Sequence, residues 1–160
     1  MQFLEHTKFY LPILLIAVLS ACEPPREELL QDARGHLDAR DAEAAQQMYL
    51  RLLEKNGQDV DAIAGLIEVA LIQNVTQPLI DWSERLLQFR PMDRQANVVV
   101  GQKLLHEGLY ADALIRFLLA FEQSEFKLEK QEAQRWIQFT QHKVLQQEQE
   151  TERKEAGQND

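Results

Sequence analysis

The 160-residue chain has one cysteine, six glycines, five prolines and 17 basic residues against 26 acidic ones. A single thiol leaves no disulfide to form within the chain, whatever the redox state of its compartment. His36, His106 and His142 show no metal-ligand spacing with one another or with the cysteine, so no metal site is expected. The net charge of −9 disfavours nucleic acid as a partner, because phosphate binding needs a basic patch. Strand signals are nearly absent. Val98, Val99 and Val100 form the one β-branched run, and it sits inside a helical pattern. There is no glycine-rich phosphate loop and no nucleophile elbow. Glu43, Glu54, Glu68 and Glu84 are dispersed, as acids on solvated helix faces are. No catalytic constellation and no cofactor is implied, and a small enzyme is the weakest reading.

The most informative stretch runs from Gln95 to Phe121. Val98, Val99, Val100, Leu104 and Leu105 form an apolar stripe at helical spacing. Glu107 and Gly108 then break the helix, since glycine takes the left-handed conformation that ends one. Tyr110, Ala113, Leu114, Phe117, Leu118 and Ala120 give the next helix an apolar face. Small residues at Gly101, Ala113 and Ala120 let two backbones approach closely, so an antiparallel hairpin is expected. Ala111 faces outward in this register, as do Glu43 and Arg116 on their helices.

The order of small and large residues resembles one unit of the tetratricopeptide repeat family, a helical hairpin of about 34 residues. With Arg94 as its first residue, Gly101 falls at the first small position and Leu104 at the tyrosine position. Ala113, Phe117 and Ala120 then fall at the small, aromatic and small positions of the second helix. Asn97 replaces the usual tryptophan and Glu125 the closing proline. Moving back by about 34 residues takes Ala113, Phe117, Ala120 and Phe121 to Leu79, Ser83, Leu86 and Leu87. A second step reaches Ala45, Tyr49, Leu52 and Leu53. Ile67 stands at a small position, a departure that would open the packing there. The resemblance implies an all-α, right-handed superhelix of about three hairpins over residues 26–145. It also implies a C-terminal capping helix from Leu128 to about Leu145, because an open stack must cover its last apolar face. An ordinary helical bundle is the alternative. The polar residues 146–160 are read as a tail, disordered at its far end.

Residues 1–21 read as an export signal. The apolar stretch from Phe9 to Ala21 is shorter than the roughly 20 residues a membrane span takes. Its end, Leu19-Ser20-Ala21-Cys22, resembles a bacterial lipobox, which implies lipid attachment to Cys22 and cleavage before it. A buried helix, or a signal ending near a cysteine by chance, is the alternative. Residues 22–25 would be the lipidated cysteine and a short linker stiffened by Pro24 and Pro25. By resemblance to Gram-negative lipoproteins, Glu23 implies the inner leaflet of the outer membrane, facing the periplasm.

In the repeat family, the inner helix of each hairpin lines a concave surface. Position by position, the resemblance assigns Arg34 and Leu37 to it from the first repeat. Ala64, Glu68 and Leu71 come from the second, Val98, Gln102, Leu105 and His106 from the third, and Trp136 and Phe139 from the cap. Ala64 and Val98 replace the lysine, and Glu68 and Gln102 an asparagine, of the family members that clamp chaperone tails, so that mode is not expected. The resemblance implies a non-catalytic adaptor for a protein or peptide of the cell envelope. It would serve pilus or secretin assembly, outer-membrane insertion or the cell-wall machinery; a membrane-tethered holdase is the alternative.

Overall fold

The computed structural model describes residues 24–157, which form seven α-helices and, among the described residues, no strand. Helices α1 (Arg26–Asp38) and α2 (Ala42–Lys55) make the first hairpin, α3 (Val60–Gln73) and α4 (Thr76–Leu87) the second, and α5 (Arg94–His106) and α6 (Tyr110–Glu122) the third. Helix α7 (Lys127–Gly157) closes the stack. Each helix packs on the next in the chain, and α1 also reaches α3. Such a stack is quasi-one-dimensional: each unit is held by its neighbours rather than by one central core.

The boundaries have local causes. Asp41, Asp59 and Asp93 cap α2, α3 and α5, accepting hydrogen bonds from the backbone N–H groups of Ala44 (3.2 Å), Ala62 (3.1 Å) and Ala96 (2.9 Å). Each cap is worth about 1 kcal/mol. Arg40, Asn74 and Gly108 take the left-handed conformation, with φ of 59°, 54° and 78°, and so turn the chain inside each hairpin. Helix α4 ends at Leu87, ahead of Arg90-Pro91, since the residue before a proline avoids the helical region. The N–H groups of Phe89 and Arg90 both fold back onto the Leu86 carbonyl, at 3.0 and 2.8 Å.

Bulk is matched across each hairpin. Ala33 pairs in register with Tyr49, Ile67 with Ser83, and Gly101 with Phe117, and all six are buried. Ile67 therefore does not open the packing. The residue at the register position of Phe117 in that hairpin is Ser83, whose hydroxyl donates to the Leu79 carbonyl at 2.7 Å. Ile67 fills a cluster with Ile63, Leu86 and Ala96. Ala113 and Ala120 are fully buried and Ala111 is exposed, in line with the register. Arg116, expected to face outward, also donates to the buried Asn97 side chain at 3.3 Å. Asn97 also donates to the carbonyls of Pro91 (2.9 Å) and Asp93 (2.8 Å). At the family's tryptophan position, a saturated polar knot thus replaces apolar bulk.

The expected tail is largely helix. α7 continues past Leu145 to Gly157, and 158–160 lie outside the described residues, as do 1–23 with the export signal and Cys22. Glutamine, glutamate, lysine and arginine are good helix formers, and α7 is already nucleated where it packs on α6. Glu150 and Lys154 stand four residues apart, a spacing that favours helix. Missing apolar residues remove the reason to pack, not the reason to be helical. Among the described residues, no helix is long and apolar enough to cross a membrane.

Candidate partner-binding groove

Helices α1, α3, α5 and α7 carry the predicted groove residues, and the structure gathers most of them into two cavities. The first, about 420 Å³, is lined by Arg34, Leu37, Ala64 and Glu68, together with Asp38, Tyr49, Asp61, Gly65 and Arg90. The second, about 530 Å³, is lined by Gln102, Leu105, His106, Trp136 and Phe139, with Tyr110 and Lys143. Leu37 enters the first only as buried floor. Leu71 and Val98 line neither cavity. Leu71 is 45 % exposed on α3, and Val98 is half-buried on α5. Gln102 and His106 also border a cavity of about 410 Å³ that extends to Thr76, Gln77 and Ile80 of α4.

The first cavity is framed by ion pairs. Arg26, on the opening turn of α1, bonds Asp59 at 2.6 Å and Asp61 at 2.8 Å, and Arg90 bonds Asp61 at 2.8 Å. One chain of charges therefore ties α1, the start of α3 and the loop after α4. The Arg26 bond holds the Asp59 carboxyl below the usual carboxylate range, against the opposing effect of burial. Arg26, helped by Arg90, does the same for Asp61. Arg26 is raised in turn by its bonds to Asp59 and then Asp61. Tyr49 comes from the outer helix α2, yet its ring crosses directly over Gly65 of α3, where a Cβ would overlap the ring carbons. The side chain is 1 % exposed and still borders the cavity, so its hydroxyl end faces the groove. Burial, with the Glu68 charge behind it, pushes that hydroxyl up to about 12. It stays neutral at any physiological pH.

The second cavity is built from rings. Phe117, buried on α6, lies against Gly101 and stacks on Trp136 with centroids 5.5 Å apart and planes 12° from parallel. Such stacking contributes about 0.5–1.5 kcal/mol beyond area burial. It fixes Trp136 as half-buried wall rather than mobile surface. Phe139, one turn on, is 50 % exposed, with the Lys143 ammonium 5.8 Å from its ring centroid. The rim is polar, with Gln102, His106 and Lys143, and the wall is aromatic.

Sequence reasoning missed Asp38, Tyr49, Asp61, Gly65, Arg90, Tyr110 and Lys143, most of which lie off the inner-helix positions it considered. Gly65 carried a signal. A glycine inside an otherwise apolar helix costs about 1 kcal/mol against alanine and implies a close approach. Among the described residues, no three His, Cys, Asp or Glu side chains are grouped to hold a metal ion.

Three hairpins, a cap and an inner surface of paired cavities define an all-α, tetratricopeptide-like repeat fold. Among solved structures, the chain is similar to the type III secretion translocator chaperone SycD of Yersinia enterocolitica, with a TM-score of 0.58 and 18 % identity. The match covers 83 % of this chain and 93 % of that one. At that identity the likeness speaks for the fold. No protein-family model matches the sequence, and no curated protein does.

Proposed function

We propose that this protein is a non-catalytic adaptor that binds an extended segment of a protein partner along its inner helices, and that a lipid on Cys22 tethers it to the outer membrane on the periplasmic side. The observation that carries the binding reading is the second cavity. It has an aromatic wall pinned by the Phe117–Trp136 stack, the half-exposed Phe139, and a rim of Gln102, His106 and Lys143. Peptide sites combine apolar walls with a few placed polar groups in this way. The tether rests on Leu19-Ser20-Ala21-Cys22 and the lone thiol, and the membrane assignment on Glu23. Pilus or secretin assembly, outer-membrane insertion and cell-wall enzymes are the envelope machineries such an adaptor would serve.

A photocrosslinking residue at position 105 or 139 should capture a partner in intact cells, while one at the exposed outer position Glu43 should not. Leu105→Glu places a charge in the apolar contact, which is costly once buried. It should abolish the adduct formed from position 139 and leave the melting temperature nearly unchanged. Equal capture from Glu43 would move the interface to the convex face. For the tether, Cys22→Ala should end labelling by a palmitate analogue, and persistent labelling would refute it. A second reading, a tethered holdase, draws support from the likeness to a translocator chaperone. It requires aggregation of unrelated unfolded clients to be suppressed, and an adaptor would not do that.

A further inference from the structure

The two cavities differ in what they leave unpaired. Five charged residues line the first: Arg34, Asp38, Asp61, Glu68 and Arg90. Asp61 and Arg90 are bonded to each other, and Asp61 also to Arg26. Arg34, Asp38 and Glu68 have neither ion pair nor hydrogen bond among the described residues. Two free carboxylates and one free guanidinium therefore line the same cavity. The Tyr49 hydroxyl also has no hydrogen-bond partner among the described residues, although the side chain is 1 % exposed. Every fully buried side-chain polar atom among those residues has a partner, so this hydroxyl is the accessible tip of a buried ring. It is delivered to the groove from the far helix by a crossing that only a glycine at 65 permits. Asp38, Glu68 and Arg34 all act electrostatically on it, which places the four groups around one space.

We propose that this cavity receives a lysine or arginine side chain from the extended segment of the groove's partner, with the carboxylates of Asp38 and Glu68 and the hydroxyl of Tyr49 accepting its hydrogen bonds. The inference rests on the groove being the partner surface. A cation matches the excess of free carboxylate in the cavity, and it suits a chain of net charge −9. The three groups are oxygen acceptors, and lysine and arginine are pure donors. The partner segment would then present a basic residue to the first cavity and apolar residues to the second. This order along the segment would fix its direction in the groove.

The test uses the full chain in detergent micelles and three fluorescent peptides. All share an apolar half of leucines and a phenylalanine, and they carry two arginines, two glutamines or two glutamates in the other half. Fluorescence anisotropy should give the arginine peptide an affinity about ten-fold above that of the glutamine peptide, with the glutamate peptide weakest. The advantage should shrink with added salt. The double variant Asp38→Asn, Glu68→Gln should erase the arginine advantage and leave the glutamine peptide unaffected. Tyr49→Phe should cut the advantage by about three-fold. An arginine preference that survives the double variant overturns the inference, as does tightest binding by the glutamate peptide, which would assign the cavity to Arg34 and an acid. Equal affinity for all three peptides, lost in Leu105→Glu, would leave the groove as partner surface and remove only the basic-residue site. No binding by any of them would count against both.

Discussion

Tyr49 and Phe117 hold the same place in the first and third hairpins, and both are fully buried. Their surroundings part in two respects. Phe117 lies against Gly101 of its own hairpin and ends on the Trp136 ring, so its far edge is covered by an aromatic wall. Tyr49 crosses Gly65 of the following hairpin and reaches the wall of the cavity that Arg34, Asp38 and Glu68 also line. Where a glycine lies under the ring decides how far the ring reaches. The space beyond the ring decides whether a hydroxyl is useful there. One repeat unit thus produces an aromatic cavity at one end of the groove and a charged one at the other.

The glycines give the sharpest way to break that comparison. A Cβ at Gly65 would overlap the Tyr49 ring, while one at Gly101 would come within 2.8 Å of Phe117. Overpacking of a filled core costs about 1–3 kcal/mol, occasionally more. Gly65→Ala should fall at or above the top of that range and Gly101→Ala lower within it, read from urea unfolding midpoints. Equal losses would mean that Tyr49 does not pass over α3.

A smaller effect is expected at the ion pairs that frame the charged end, where Arg26 holds both Asp59 and Asp61, while its counterpart Arg94 at the aromatic end holds Glu129 alone. Asp59→Asn keeps an N-cap, since asparagine caps as well as aspartate, and removes the charge that bonds Arg26. Because Arg26 remains partly solvated, the loss at neutral pH should be about 1–2 kcal/mol. The folded Asp59 titrates below its ordinary value of 3.8. Its contribution is therefore complete above about pH 4 and disappears as pH falls through the lowered value. The difference between the two proteins should shrink steadily as pH falls below about 4, and a difference that does not change with pH would assign it to packing instead.

The smallest effect is expected from Tyr49→Phe, which makes the first hairpin like the third. Removing a hydroxyl that has no protein partner should change stability by under about 0.5 kcal/mol. A loss above about 1 kcal/mol would mean that the hydroxyl is already satisfied in the fold and is not waiting for a ligand.

Hairpin order and register were legible because they depend on spacing within single helices. Ala113, Ala120 and Ala111 lie where their positions in the sequence put them. Nine of the eleven groove positions border one of the two main cavities, all but Leu71 and Val98. The remaining differences have two causes: partners on a neighbouring helix, and apolar content taken as the sign of helix. Ile67 looked oversized until its register partner was seen to be Ser83. Arg116, read only as outward-facing, also supplies the donor that the buried Asn97 side-chain oxygen needs. The far end of α7 looked disordered because apolar content was used as the sign of helix, whereas helix propensity alone carries it.

Periodicity, caps and breakers determined the seven helices and their antiparallel order, since a helix's apolar stripe and its ends are properties of neighbouring residues. The same information placed the one thiol directly after Leu19, Ser20 and Ala21, and the excess of acid over base. Only the tertiary structure decided that an outer-helix tyrosine reaches the inner surface, that Asp61 is shared by Arg26 and Arg90, and that Asp38 and Glu68 are left unpaired around that tyrosine. The first depends on a ring of one hairpin crossing a helix of the next, which a missing Cβ at Gly65 allows; the others depend on which charged side chains of α1, α3 and the loop after α4 meet.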